Sequence, residues 1–154
     1  MVNAASSSSL AIFALDGVRF ALGAEVIERV VRAVEVSPLA DAPPGVLGVI
    51  NLHGRIIPVL DIRPRFGLPS REICLSDHFV IACAGEREVA ILVDAALDVV
   101  SAGSATEAVA VDALTGLNGI ERVVVQAGEI VPVHDLSRFM PAEPRKAGEL
   151  KLVA

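Results

Sequence analysis

The side chains best equipped for chemistry in this chain are three histidines, two cysteines, three strand-end aspartates and a run of serines. His53, His78 and His134 show no metal-ligand spacing, and Cys74 and Cys83 are too few and too far apart to complete a zinc or redox site. His134 precedes Asp135 on a predicted strand, which sends the two side chains to opposite faces and argues against a dyad. His78 beside Asp77 reads as a solvated turn histidine, and Cys83 as a small buried apolar residue. The serines at 6 to 9 lack a Gly-x-Ser-x-Gly context, and no Gly-rich loop followed by Lys is present to cradle a phosphate. Asp61, Asp94 and Asp135 end apolar stretches, where a carboxylate faces water or caps a turn; acid–base work would require them to meet in one cleft. The expectation is no catalytic residue, no cofactor and no metal.

The elements that must position these groups are strands. Val and Ile are abundant, and Gly or Pro punctuates the chain about every ten residues, as in an all-β barrel or sandwich. Gly128-Glu129-Ile130-Val131-Pro132-Val133-His134-Asp135 repeats Gly54-Arg55-Ile56-Ile57-Pro58-Val59-Leu60-Asp61, with Gly, Pro and Asp each displaced by 74 (128 − 54, 132 − 58, 135 − 61). A second pair agrees: Ile12 to Leu22 followed by Val30-Val31 is matched, with about one extra residue, by Ile81 to Val93 followed by Val99-Val100. Each half therefore reads hairpin, short turn or helix, strand, hairpin. Ala24 to Ile27 and Ala95 to Leu97 are candidate single helical turns, and Val26 to Val36 reads as one long strand ended by Pro38. Leu39 to Gly45 is a loop, and Asn51 to Gly54 a tight turn. Pro58 and Pro132 predict that their strands are edges or carry bulges. Ser101 to Thr115 has moderate helical preference or is a variable loop.

Composition sets outer limits. The 154 residues are 53% hydrophobic and 21% charged, which fits a globular chain. Aromatics are 3%, with no Trp or Tyr, and the net charge is −6; both oppose nucleic-acid binding, which draws on clustered cations and stacking faces. Every apolar stretch is broken before the ~18 residues of a spanning helix, and the first nine residues lack a signal-peptide core. No membrane insertion and a cytoplasmic location are expected. The organisation reads as a flexible lead-in (1–9), a folded domain (10–140) of two interleaved lobes, with second-lobe residues at roughly 67–140, and a tail (141–154) that is loose or a short helix.

Gly48-Val49-Ile50-Asn51-Leu52-His53-Gly54 through Pro58-Val59-Leu60-Asp61-Ile62-Arg63 resembles the signature of CheW-like chemotaxis coupling proteins. The resemblance extends from about Leu10 to Met140, including Val80 to Asp94 and Gly116 to Phe139. It implies two five-stranded, SH3-like β-barrel lobes around a shared hydrophobic core. It further implies a non-enzymatic adaptor that binds the regulatory domain of a chemotaxis histidine kinase and the cytoplasmic hairpin tip of chemoreceptors, recruited to membrane-associated arrays. The partner-binding residues carried over are Arg29, Val30, Gly48, Asn51, His53, Gly54, Pro58, Asp61, Val93 and Asp94. His53 stands where the family has Arg, and Arg29 where many members have Glu, so a facing acid–base pair would here become Arg29 and His53. Two other readings remain: a divergent paralogue that binds only kinase or only receptor, and a small-molecule-binding barrel with weak hydrolytic activity at Asp61 or Asp94.

Overall fold

The computed structural model of the chain describes residues 9–101, 106–107, 120–141 and 151–152. The strands are β1 (Ser9–Leu15), β2 (Val18–Gly23), β3 (Ile27–Arg32), β4 (Leu39–Ala40), β5 (Val46–Leu52), β6 (Arg55–Leu60), β7 (His78–Ala84), β8 (Arg87–Val93), β9 (Ala95–Ser101), β10 (Thr106–Glu107), β11 (Ile120–Gln126), β12 (Glu129–His134) and β13 (Lys151–Leu152). Two lobes result. One sheet runs β11-β12-β2-β1-β9, with the two-residue β10 added outside β11; the other runs β5-β6-β8-β7-β3. The helical elements among the described residues are isolated 3-10 turns.

The two sheet orders correspond strand for strand, and the ladders fix the repeat. Ile12 opposite Ala21 becomes Ile81 opposite Ala90, a displacement of 69 (81 − 12, 90 − 21). Ile27 opposite Ala82 becomes Ala96 opposite Phe13, again by 69, and each ladder skips one residue next, Glu28 in one and Leu97 in the other. The 74-residue displacement then takes over: Val59 beside Ala90 becomes Val133 beside Ala21, and the bulge at Leu47 returns at Glu121. The hairpins need no extra residue, contrary to the sequence reading; the five additional residues fall between β9 and β11.

Each lobe nevertheless contains strands of both copies. The β1–β2 hairpin lies in the sheet of β9, β11 and β12, while β7–β8 lies in the sheet of β3, β5 and β6. The halves have exchanged hairpins: residues 78 to 93 complete the lobe begun at residue 27. Strand alternation explains the three cores that follow. Leu10, Ile12, Ala21, Val124, Val131 and Val133 fill one lobe, and their equivalents Phe79, Ile81, Ala90, Ile50, Ile57 and Val59 fill the other. The opposite faces of the exchanged hairpins, with Phe13, Leu15, Phe20, Val80, Val89, Ile91 and Val93, meet between the lobes together with Leu60, Ile62, Leu136 and Phe139. Burial of each such side chain contributes roughly 1.5–3 kcal/mol.

Other local expectations resolve on the ladders. Ala24–Val26 is a 3-10 turn, so β3 starts only at Ile27 and ends at Arg32, whereas Ala95 to Leu97 belongs to β9 and is not helical. Pro58 sits on an inner strand, not an edge. Val49 opposite it spends its N–H and C=O on Ser37, leaving Val49–Pro58 a non-hydrogen-bonded pair, and the ladder to β8 opens one residue later at Val59. Leu39–Ala40, read as loop, pairs with Lys151–Leu152 of the expected tail. Thr106–Glu107 is extended; the rest of the 102–115 stretch lies outside the described residues.

Candidate functional site: an interlobe groove and an ion cluster at the seam

The bulges at Glu28 and Leu97 shift strand alternation, and their consequence is a groove. With one residue inserted, Ile27 and Val30 of β3 line the same space, and so do Ala96, Leu97 and Val99 of β9. Ala11, Phe13, Ala24 and Asp98 complete an open groove of about 310 Å³. Its walls come from different lobes and from equivalent residues of the two copies. Val30, Leu97 and Val99 are exposed, at 37, 44 and 64%. A mostly apolar depression of this kind accepts the apolar face of a helix or an extended apolar segment.

Of the predicted site residues, Val30 lines this groove directly, and Arg29 beside it is exposed. Asn51, His53 and Gly54 form the β5–β6 turn. The Gly54 N–H donates to Asn51 Oδ1 at 2.8 Å, and both turn residues have positive φ, +52° at His53 and +88° at Gly54. Ala127 and Gly128 repeat that geometry at +56° and +80°, which is the mirror-image turn that suits hairpin twist. Gly48 is buried, with Val36 and Ser37 occupying the space a Cβ would need. Pro58 is half-buried, Asp61 is buried, and Val93 is wholly enclosed in the shared core. The residues thus separate into a groove wall, a turn and an interior group.

Arg29 and His53 do not pair with each other. The acid–base contact across these strands joins Glu28 to Arg55, with Nη2 2.8 Å from Glu28 Oε2, and Arg55 Nη1 also donates to Glu88 Oε2 at 2.6 Å. Arg29 Nε lies 3.9 Å from Glu28. The bulge turns Glu28 rather than Arg29 toward the hairpin, so the base that answers it is two residues beyond His53. The hydrogen bond from Arg55 holds the Glu28 carboxyl below its ordinary value, while burial and the neighbouring Glu28 push Glu88 up. Burial also raises the Cys83 thiol, which stays protonated, although Cys83 is half-buried and not fully enclosed as expected. Ligand atoms of Glu28, Cys83 and Glu88 lie within 4.8 Å of one another, but Arg55 already supplies positive charge there.

Asp61 and Asp94 do converge, on an arginine. Arg63 is 0% exposed; its Nη2 donates to Asp94, Nε lies 3.9 Å from Asp16, and Nη1 lies 4.0 Å from Asp61. Asp61 Oδ1 also accepts the Arg63 backbone N–H at 3.0 Å, the same turn cap that Asp135 provides to Ser137 in the second copy. Arg71 grips Asp77 with two bonds of 2.8 and 2.9 Å and reaches Asp94 at 2.6 Å. Hydrogen bonding to Arg71 holds the Asp77 carboxyl low, and Asp77 raises Arg71 further above its ordinary range. These aspartates are acceptors in a charge cluster. His134 takes the position of Leu60 in the other copy and packs among Phe20, Phe66 and Phe139. The arginine ends a predicted motif; only its complete burial was hidden from the sequence.

Comparison with known proteins agrees with this architecture. Residues 9–112 match the family model for the CheW-like domain. The chain is 27% identical over 143 residues to the chemotaxis protein CheW of Bacillus subtilis, covering 90% of each chain. It is 25% identical over 140 residues to CheW of Rhizobium meliloti, again covering 90% of each. A solved structure, scaffolding protein TtCheW from Thermoanaerobacter tengcongensis, superposes with a TM-score of 0.70 at 22% identity, covering 84% of this chain and 89% of that one. Its likeness extends to the fold. With the family model matching most of the chain, and the exchanged two-lobe body to accompany it, the chain belongs to the CheW-like domain family.

Proposed function

We propose that this protein is a non-enzymatic adaptor that couples chemoreceptors to a chemotaxis-type histidine kinase. The interlobe groove receives the helical cytoplasmic tip of the receptor, and the kinase regulatory domain docks on a barrel end, where the β5–β6 turn with Asn51, His53 and Gly54 is exposed. The observation that carries this reading is the groove itself: Val30, Leu97 and Val99 are exposed apolar side chains on facing strands of two lobes. Among the described residues no helix is long and apolar enough to cross a membrane, so a place in a receptor array would come through the receptor. Hydrolysis at Asp61 or Asp94 is disfavoured because both carboxylates are engaged by arginines. Titration of the purified protein with a receptor hairpin tip tests the assignment. Val30→Glu and Leu97→Glu should each weaken tip binding at least tenfold while leaving kinase-domain binding intact; unchanged tip affinity in both would remove the groove from the account.

A further inference from the structure

The exchanged hairpins make the seam between the two halves an interface with a replaceable partner. Among the described residues five ladders join the first half to the second: β1 with β9, β2 with β12, β3 with β7, β6 with β8 and the short β4 with β13. Most of the shared core, including Phe13, Phe20, Val80 and Ile91, spans the same division. One covalent connection links the halves, the segment from Arg63 to Asp77, which holds a 3-10 turn and no strand. We propose that the seam also accepts the matching half of a second copy of this chain, giving a reciprocally exchanged dimer when the 63–77 segment opens. Every ladder would be remade between chains, so the choice between closed monomer and exchanged dimer rests on this segment and on protein concentration. A short connection holds its two halves at an effective concentration on the order of millimolar, which favours the monomer when the protein is dilute.

Two features hold the segment folded back. Gly67 reverses the chain at φ +72°, donating its N–H to Pro64 at 3.2 Å, while the Leu68 N–H reaches the Arg63 carbonyl at 3.0 Å. The ion cluster adds cross-links. Arg63 lies at the start of the segment and Arg71 in its middle, and both end on Asp94 of the second half. Gly67→Val penalises the left-handed turn, and its Cβ meets no atom within 4 Å. An opened segment would relieve that strain, and an exchanged dimer leaves the cores intact while doing so.

The experiment uses the full-length chain with Cys74→Ser, Cys83→Ser, Arg32→Cys and His78→Cys, because positions 32 and 78 face one another across the β3–β7 ladder and belong to different halves. With Gly67→Val added, light scattering should give twice the monomer mass, and a non-reducing denaturing gel should show covalent dimers. A folded variant that stays monomeric at high concentration, or a dimer whose cross-links remain within single chains, would overturn the proposal. Should Gly67→Val fail to fold, the version retaining Gly67 is unfolded in denaturant and refolded dilute or concentrated. Covalent dimers should rise with refolding concentration, and monomeric cross-links at every concentration would refute exchange.

Discussion

Replacing Gly48 by alanine tests how the signature motif acts. A Cβ built at Gly48 would sit 2.3 Å from the Ser37 carbonyl oxygen and 2.8 Å from Val36 Cγ1, on a backbone with φ of +154°. Neither neighbour is the free end of a flexible chain. Relief requires the 36–37 segment to move away from β5, which breaks the reciprocal Ser37–Val49 hydrogen bonds of 2.8 and 2.9 Å. Two lost backbone bonds cost about 1–3 kcal/mol together, and an unfavourable backbone conformation costs about 1–3 kcal/mol. The sum is roughly 2–6 kcal/mol, enough at about 2–4 °C per kcal/mol to lower Tm by roughly 4–24 °C. Urea denaturation should give a lower midpoint with an unchanged slope, and hydrogen exchange should accelerate at Ser37 and Val49. A stability within about 0.5 kcal/mol of the parent, with both amides still protected, would refute the close-packing argument.

Three further outcomes follow from the same geometry. Arg63→Ala leaves Asp16, Asp61 and part of Asp94 without their buried cation and should cost about 3–5 kcal/mol in denaturant unfolding. Ala127→Asn should stabilise the β11–β12 turn by up to about 1 kcal/mol, since asparagine tolerates positive φ better than alanine; calorimetry reads this as a raised Tm. The low Asp77 pKa contributes stability that is fully present above the ordinary carboxylate range and is lost as pH falls through the folded value. The acid limb of a stability–pH curve should therefore flatten in Asp77→Asn, although that variant also starts less stable.

The repeat was legible because turns and prolines are fixed by backbone geometry, which survives change in the surrounding side chains. Gly54 and Gly128 do occupy equivalent turns. Interleaved lobes were expected, but which hairpins trade places was not legible, because the same alternation of Leu10, Ile12 and Ala11, Phe13 satisfies a sheet made with either copy. The β3 and β9 bulges were invisible for a similar reason: one inserted residue leaves an apolar pattern that still resembles a strand. The pairing of Arg29 with His53 came from the family resemblance, whereas the bulge gives the contact to Glu28 and Arg55. Asp61 and Asp94 looked like ordinary strand ends, and only the fold brings both to Arg63, placing the charged end of the motif inside the protein.

The adaptor reading requires receptor and kinase to occupy different surfaces at once. The direct measurement is a titration of a receptor hairpin tip into this protein already saturated with a kinase regulatory domain, followed by light scattering. The account predicts tip binding of unchanged affinity and a complex holding one kinase domain per adaptor chain, with Val30→Glu losing the tip and keeping the kinase domain. Displacement of the kinase domain by the tip, or failure of either to bind, would contradict it.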